Sequence, residues 1–373
     1  MLIAAPVFFI LEKIALSQIS EKAERVKQLI KYKATWLKLL SYLFQLIPFM
    51  GLAYLISLNL ISRKVSPLAL YLTLAALLFG NTASLLMSTY YGHGMTAIFI
   101  LAMILLIERS QYFWAGLSFG FAVLCDYSGV LLTIPLLLII KRDLKIFSRF
   151  IMGGVAPLLL WIFYHNQCFG SPFHIANQFQ NPIYQDLSSK SHNLWGILLP
   201  YPQLSTINQL LLGQSRGILW TLPWVFVLLG WALKKILSKE SFDIPPQLKF
   251  TLVAFAMLLW MNSCFGGWHG GLTPGPRYLS PIFPVFALSI GLCFDKMALP
   301  LQRTLFILVI VSLVFASLVY SSHIAPSQVP LWPLYLKINF KNPTTTTLSR
   351  LFLIVPLLIF VGTKTLYWPK GTK

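Results

Sequence analysis

Apolar residues run along this chain in long uninterrupted blocks, separated by short stretches rich in Lys, Arg, Gly and Pro. Several blocks approach the roughly 20 residues that an α-helix needs to cross the hydrocarbon of a bilayer. Alternating strand patterns are not evident, so helices are expected to satisfy the backbone in lipid. Candidate spans are Trp36–Ile61, Pro67–Met87, Met95–Ile107, Trp114–Ile140, Phe150–Tyr164, Gly217–Leu233, Phe250–Cys264, Tyr278–Phe294, Leu305–Tyr320 and Leu348–Val361. With an apolar opening stub, Met1–Ile10, they predict an all-α polytopic transmembrane protein of about ten to eleven apolar segments, one membrane domain over residues 1–373. Trp114–Ile140 is long enough to be one tilted helix or two half-helices meeting near Asp126.

Composition agrees with that pattern. Of 373 residues, 57% are hydrophobic and 10% charged, a balance that a water-soluble domain would reverse. The formal charge of +19 invites a nucleic-acid reading, but the basic residues sit in short loops between apolar spans. There they read as topology signals that also attract anionic lipid headgroups, and no nucleic-acid partner is expected. The four cysteines lie far apart in sequence, without the spacing of a zinc or redox motif.

Charge also orients the chain. Residues 17–35 read as a basic cytoplasmic segment, and the clusters Lys141, Arg142, Lys145, Arg149 and Lys234, Lys235, Lys239, Lys249 mark two cytoplasmic loops. Single crossings between them place loop 165–216, the turn 266–277 and segment 321–347 outside. Arg63-Lys64 and the turn Tyr90-Tyr91-Gly92-His93-Gly94 fit either side. One crossing over Trp114–Ile140 puts His93 inside; two half-helices put it outside together with Asp126.

Asp126 is the one acid within an apolar span away from its ends. A carboxylate at lipid depth costs a few kcal/mol unless paired or hydrated, so Asp126 is either functional or a hydrated helix break. Arg216, at the mouth of the span that follows, either clamps a phosphate or snorkels to headgroups. Asp186 is the only acid of loop 165–216, and His165, His174 and His192 lack helical metal-ligand spacing. The segment Gly266–Tyr278 gathers five glycines, two prolines, Trp268, His269 and Arg277. Glycines permit close backbone approach to a ligand, Trp268 can stack on a sugar face, and Arg277 can pair with a phosphate. The competing reading is an interfacial hairpin with Trp268 as a belt anchor.

Gly275-Pro276-Arg277-Tyr278-Leu279, followed by Pro281 and Pro284, resembles the C-terminal signature of bacterial GT-C superfamily membrane glycosyltransferases. These are the polyprenyl-phosphate-sugar-dependent enzymes related to protein mannosyltransferases. Ser215-Arg216-Gly217-Ile218-Leu219 with Pro223, Phe169-Gly170-Ser171-Pro172, and Gly116–Pro135 with its Asp126-Tyr127 pair are similar to further family elements, in the same order. The resemblance implies a helical fold in the bacterial plasma (inner) membrane, serving the cell envelope. Its external active site would move a sugar from a polyprenyl-phosphate carrier to a glycan, lipid or protein acceptor, often with a divalent cation. It assigns substrate contacts to Arg277, Tyr278, Trp268 and Arg216 and offers Asp126, His93 and His269 as catalytic candidates. The family also carries an acid in a first external loop after an opening span. Met1–Leu16 resembles the family's second span, so the resemblance implies a truncated copy lacking that base, incomplete or inactive. The alternative is a non-catalytic membrane protein of the same fold, acting as a lipid-sugar carrier, transporter or assembly scaffold.

Overall fold

The computed structural model describes residues 39–87, 92–140, 143–174, 198–239, 244–271 and 273–322, with 330, 332 and 333. The opening stub, the basic segment 17–35, Lys141-Arg142, Asp186, His192, most of 321–347 and the span Leu348–Val361 lie outside the described residues. Among the described residues the fold is all-helical, with a single isolated bridge pairing Leu198 and Phe265.

Among the described residues, five helical segments are long and apolar enough to cross a membrane: Leu39–Ser62, Pro67–Leu86, Leu144–Phe169, Arg277–Lys296 and Leu299–Val319. Shorter apolar helices are Gly92–Glu108, Tyr112–Cys125 and Tyr127–Leu136. In chain order, α1 is Leu39–Ser62, with a π-helical stretch at Tyr42–Leu46. Helix α2 is Pro67–Leu78, α3 Thr82–Leu86, α4 Gly92–Glu108 and α5 Tyr112–Cys125. A 3-10 turn, Tyr127–Leu132, leads into α6, Thr133–Leu136, and α7 is Leu144–Phe169. Then come α8 Leu204–Leu211, α9 Ile218–Thr221, α10 Trp224–Leu237 and α11 Pro246–Ser263. A second 3-10 turn, Arg277–Ile282, precedes α12, Phe283–Cys293, and α13 is Leu299–Ser322.

The local starts and stops follow from side chains. Ser66 caps α2 by accepting from the Ala69 N–H, with Pro67 at the first helical position. Asn81 ends α2 by donating to the Ala76 and Leu77 carbonyls and starts α3 by accepting from Ser84 N–H. Asp126 breaks the next long apolar run, its Oδ1 accepting from Ser128 N at 3.0 Å and Ser128 Oγ at 2.8 Å. These bonds satisfy an N–H at the start of the 3-10 turn, which would otherwise lack a partner. Gly170, at φ 74°, closes α7 in the left-handed conformation that glycine adopts without steric cost.

Helices α5 and α7 decide the topology. A Cβ on Gly153 would stand 1.9 Å from the Phe113 carbonyl oxygen, and one on Gly116 would stand 1.8 Å from that of Phe150. Gly120 meets Pro157 farther along, so the two backbones touch and run in the same direction. Consecutive parallel helices require the chain between them to return. Trp114–Ile140 is therefore two legs meeting at Asp126, the second alternative that the sequence left open. The return leg, Tyr127–Leu136, packs on α11.

This arrangement gives the bundle two distinct ends. At one, Glu108 closes α4 and its Oε2 accepts from Asn59 Nδ2 at 2.8 Å and Arg63 Nη2 at 3.0 Å, while Gln247 donates to its Oε1. Nearby, Asp295 accepts from Ser66 N and Oγ at 2.8 and 2.5 Å. At the other end lie Asp126, His93, Arg216 and the Gly-rich turn. Among the described residues, Arg63, Lys64, Arg109, Lys145, Arg149, Lys234, Lys235, Lys239, Lys249, Lys296 and Arg303 lie toward the Glu108 end. Of the described Lys and Arg residues, only Arg216 and Arg277 lie toward the Asp126 end.

The core between the ends is apolar and tightly filled by α12, where Phe283, Val285, Phe286, Ala287 and Ile290 have no exposed surface. Burying side chains of this size contributes about 1.5–3 kcal/mol each where they leave water. By contrast, α7 turns Ile151, Met152, Val155, Leu158, Leu159 and Phe163 outward, as a lipid-facing helix does.

Candidate functional site

Four short elements converge at the Asp126 end: the start of α4, the break after α5, the Gly-rich turn and the 3-10 turn that opens with Arg277-Tyr278. The glycines around His93 make the first junction possible. A Cβ at Gly92 would lie 2.5 Å from the Cys125 carbonyl oxygen, and one at Gly94 would lie 2.5 Å from Gln45 Oε1. With only hydrogen there, α4 starts directly against the end of α5, and Thr96 Oγ1 bonds the Ala122 carbonyl across it at 3.3 Å.

The consequence is a His–Asp pair, with His93 Nδ1 at 2.5 Å from Asp126 Oδ2. Both side chains are mostly buried, each 13% exposed. An ionised carboxylate has no proton to give, so Nδ1 carries the proton and donates it to the bond. In the neutral ring this leaves the Nε2 lone pair on the opposite edge available to accept a proton. Ser128 occupies the other carboxylate oxygen, so Asp126 is oriented as well as paired.

Tyr278 joins this pair to the Gly-rich turn. Its ring meets His93 edge-on at 5.2 Å between centroids and 86°, and Phe265 in the same manner at 5.2 Å and 88°. The Arg277 guanidinium folds over the Tyr278 ring, with Cζ 4.8 Å from the centroid and Nη2 donating to the phenol oxygen at 2.9 Å. Cation and ring thus fix each other while both stay partly exposed.

Arg216 has a different place. It is only 2% exposed, so it does not snorkel to headgroups; Nη2 donates to the Gly271 carbonyl at 2.6 Å and Nη1 to that of Thr273. Charge-assisted bonds to two carbonyls hold the turn in shape from beneath. Positive φ at Gly270, Gly271 and Gly275 permits that shape. A Cβ at Gly275 would stand 2.7 Å from the Thr82 methyl, so the turn also sits flush on α3.

His269 stands on the turn beside both guanidinium groups. Its Nδ1 accepts from the Gly271 N–H at 3.0 Å. Partial burial, then the positive charges of Arg216 and Arg277, hold its pKa below the ordinary imidazole value. Trp268 is half-buried and lies edge-on to the His269 ring at 6.0 Å.

The structure therefore brings His93, Asp126, His269, Trp268, Arg277 and Tyr278 to one end of the bundle, with Arg216 below them. A neighbouring cluster escaped the sequence reading. Buried His165 bonds the His174 carbonyl through Nδ1 at 2.7 Å and the Tyr127 hydroxyl through Nε2 at 3.2 Å, and its ring stacks on Trp161 at 4.2 Å. It ties the end of α7 to the residue after Asp126. The only sequence signal was spacing, since Trp161 and His165 share a helix face four residues apart.

Among the described residues, the divalent cation implied by the resemblance finds no matching ligand set. Asp126 and His93 are two donors already bonded to each other, and among the described residues no three His, Cys, Asp or Glu groups gather to hold a metal. All four cysteines are free. The chain matches no family model, no curated protein and no solved structure.

Proposed function

We propose that this protein is a membrane glycosyltransferase that moves a sugar from a polyprenyl-phosphate carrier to the hydroxyl of a glycan, lipid or protein acceptor. The observation that carries this reading is the meeting of a His93–Asp126 pair with Arg277 and Tyr278 at one bundle end. Sugar transfer from a lipid phosphate requires a base at the acceptor hydroxyl and positive charge at the departing phosphate. Both groups contact Tyr278, which links the base to the cation.

In this reading His93 Nε2 takes the acceptor proton as the acceptor oxygen attacks the anomeric carbon. Asp126 holds the ring in the required tautomer and stabilises the imidazolium that forms, the part an aspartate plays in hydrolase triads. The anomeric C–O bond breaks, its electron pair leaves on the polyprenyl phosphate, and Arg277 receives that charge. Trp268 offers an aromatic face to the sugar, and Arg216 keeps the turn in place. The His93–Asp126 pair also supplies a base where the GT-C resemblance looks to an acid in another loop.

The distribution of Lys and Arg supports placing the Glu108 end in the cytoplasm and loops 165–216 and 266–277 outside the bacterial plasma membrane. A carrier embedded in lipid would reach the site from the bilayer.

The test uses the full chain in proteoliposomes with a panel of polyprenyl-phosphate hexoses and pentoses, following release of polyprenyl phosphate when membrane acceptors are added. Arg277→Ala is expected to lower release about 100- to 1,000-fold with thermal unfolding unchanged. Full activity in Arg277→Ala would sink the phosphate role. Sugar movement across sealed vesicles without a glycosidic product would replace the enzyme by a transporter of the same fold.

A further inference from the structure

We infer that His269 is a second phosphate-binding residue, a neutral imidazole that donates a hydrogen bond from Nε2 to the phosphate held by Arg277, and that it is not a base. The inference rests on the transferase reading for the identity of the anion; the tautomer stands on geometry alone.

The Gly271 N–H points at His269 Nδ1 at 3.0 Å, and a backbone amide can only donate. Nδ1 is therefore the acceptor nitrogen. In a neutral ring the proton must then reside on Nε2, which becomes a donor. Two features keep the ring neutral. His269 is partly buried, and the guanidinium groups of Arg216, before α9, and of Arg277, in the 3-10 turn, oppose a further positive charge.

The turn is built so that this donor stays beside Arg277. Gly270 follows His269, and a Cβ on it would stand 3.0 Å from Arg277 Cβ, so the two strands of the turn touch at that point. Arg216 secures the next residue through the Gly271 carbonyl at 2.6 Å. The same Gly271 thus fixes the His269 ring through its N–H and the turn through its C=O. Arg277 and His269 are both partly exposed, whereas Arg216 is buried.

The two histidines of the site consequently have opposite tautomers. The Asp126 carboxylate places the His93 proton on Nδ1 and leaves Nε2 basic, whereas the Gly271 amide places the His269 proton on Nε2 and leaves it a donor. One ring is set to take the acceptor proton, the other to meet the leaving phosphate. Reaction by this route leaves His269 with the same protons at the start and the end.

The experiment has two readouts on the full chain in detergent. The first is the ¹⁵N spectrum of histidine-labelled protein at pH 7, with the His269 signals identified by their loss in His269→Gln. A protonated Nε2 and an unprotonated Nδ1 are expected, and a protonated Nδ1 overturns the inference. The second is binding of farnesyl phosphate, a short polyprenyl monophosphate. A hydrogen bond to a charged partner predicts that His269→Ala weakens binding about tenfold or more. His269→Gln, whose amide places an N–H where Nε2–H stood, is expected to stay within about threefold of the parent, because the donor is kept. Equal losses in the Ala and Gln variants, or none in either, overturn the donor role. Failure of the parent protein to bind farnesyl phosphate overturns both this inference and the phosphate site. Binding with the expected variant pattern but no sugar transfer supports the inference and overturns the transferase reading alone.

Discussion

The two ends of the bundle use charge in opposite ways. At the Glu108 end, basic residues are numerous, and one carboxylate at the end of α4 gathers Asn59 and Arg63 from α1 and its C-terminus and Gln247 from α11. At the Asp126 end the described cations are only Arg216 and Arg277, and each is bonded to a residue or carbonyl of the same small site. A carboxylate is central to both ends, yet Glu108 joins helices whereas Asp126 orients an imidazole. The difference lies in what each oxygen meets. The amide N–H groups and guanidinium around Glu108 can only donate hydrogen bonds, while the His93 ring opposite Asp126 carries a second nitrogen that can accept one.

The largest effect should come from the contact that positions the Asp126 end. Gly153→Leu forces a side chain where even a Cβ would lie 1.9 Å from the Phe113 carbonyl oxygen. Helix α7 must then part from α5, and we expect no monodisperse protein on size exclusion; overpacking alone costs about 1–3 kcal/mol and backbone is less yielding than side chains. Gly154→Ala is the control, since its nearest neighbour would be the Gly116 carbonyl oxygen at 3.8 Å. If Leu at 153 is tolerated, the close parallel crossing is wrong, and with it the side assigned to His93.

Next in size is Asp126→Asn. The amide can present an N–H to His93 Nδ1 and so drive the ring proton onto Nε2, which removes the basic edge. Release of polyprenyl phosphate should fall at least about 100-fold with little change in melting temperature. An equal loss of stability with intact turnover would make Asp126 a structural residue of the same kind as Glu108, and the contrast between the ends would disappear.

The smallest effect belongs to Glu108→Ala. It leaves the Asn59 and Gln247 amides without their acceptor and should lower stability by about 1–3 kcal/mol in chemical or thermal unfolding, with turnover of the remaining folded protein unchanged. A large drop in turnover at full stability would show that the Glu108 end takes part in the reaction.

Much of the helical framework was legible along the chain. The run Pro67–Met87 corresponds closely to Pro67–Leu86, and Tyr278–Phe294 lies within Arg277–Lys296, because uncharged runs of this length have few other ways to satisfy their backbone in lipid. The unusual composition of Gly266–Tyr278 likewise pointed to the turn that carries His269 and Arg277. Less was legible at Arg216, where phosphate clamping and snorkelling were both open and the side chain is instead buried against the turn's own carbonyls. His165 and Tyr127 gave almost no signal, since their contact joins residues 38 apart.

By itself, then, the sequence determined that this is a helical membrane protein, where most of its described helices fall, and which turn concentrates groups able to bind an anion. Those properties depend on local runs of apolar residues and on residue type, both readable within one window. The tertiary structure alone decided that Trp114–Ile140 turns back at Asp126, that His93 Nδ1 meets it, and that the Gly271 N–H meets His269 Nδ1. These outcomes depend on which backbones can touch. That is set by glycines at 92, 116 and 153 facing carbonyl oxygens on other segments, a complementarity of shape that no single stretch of sequence contains.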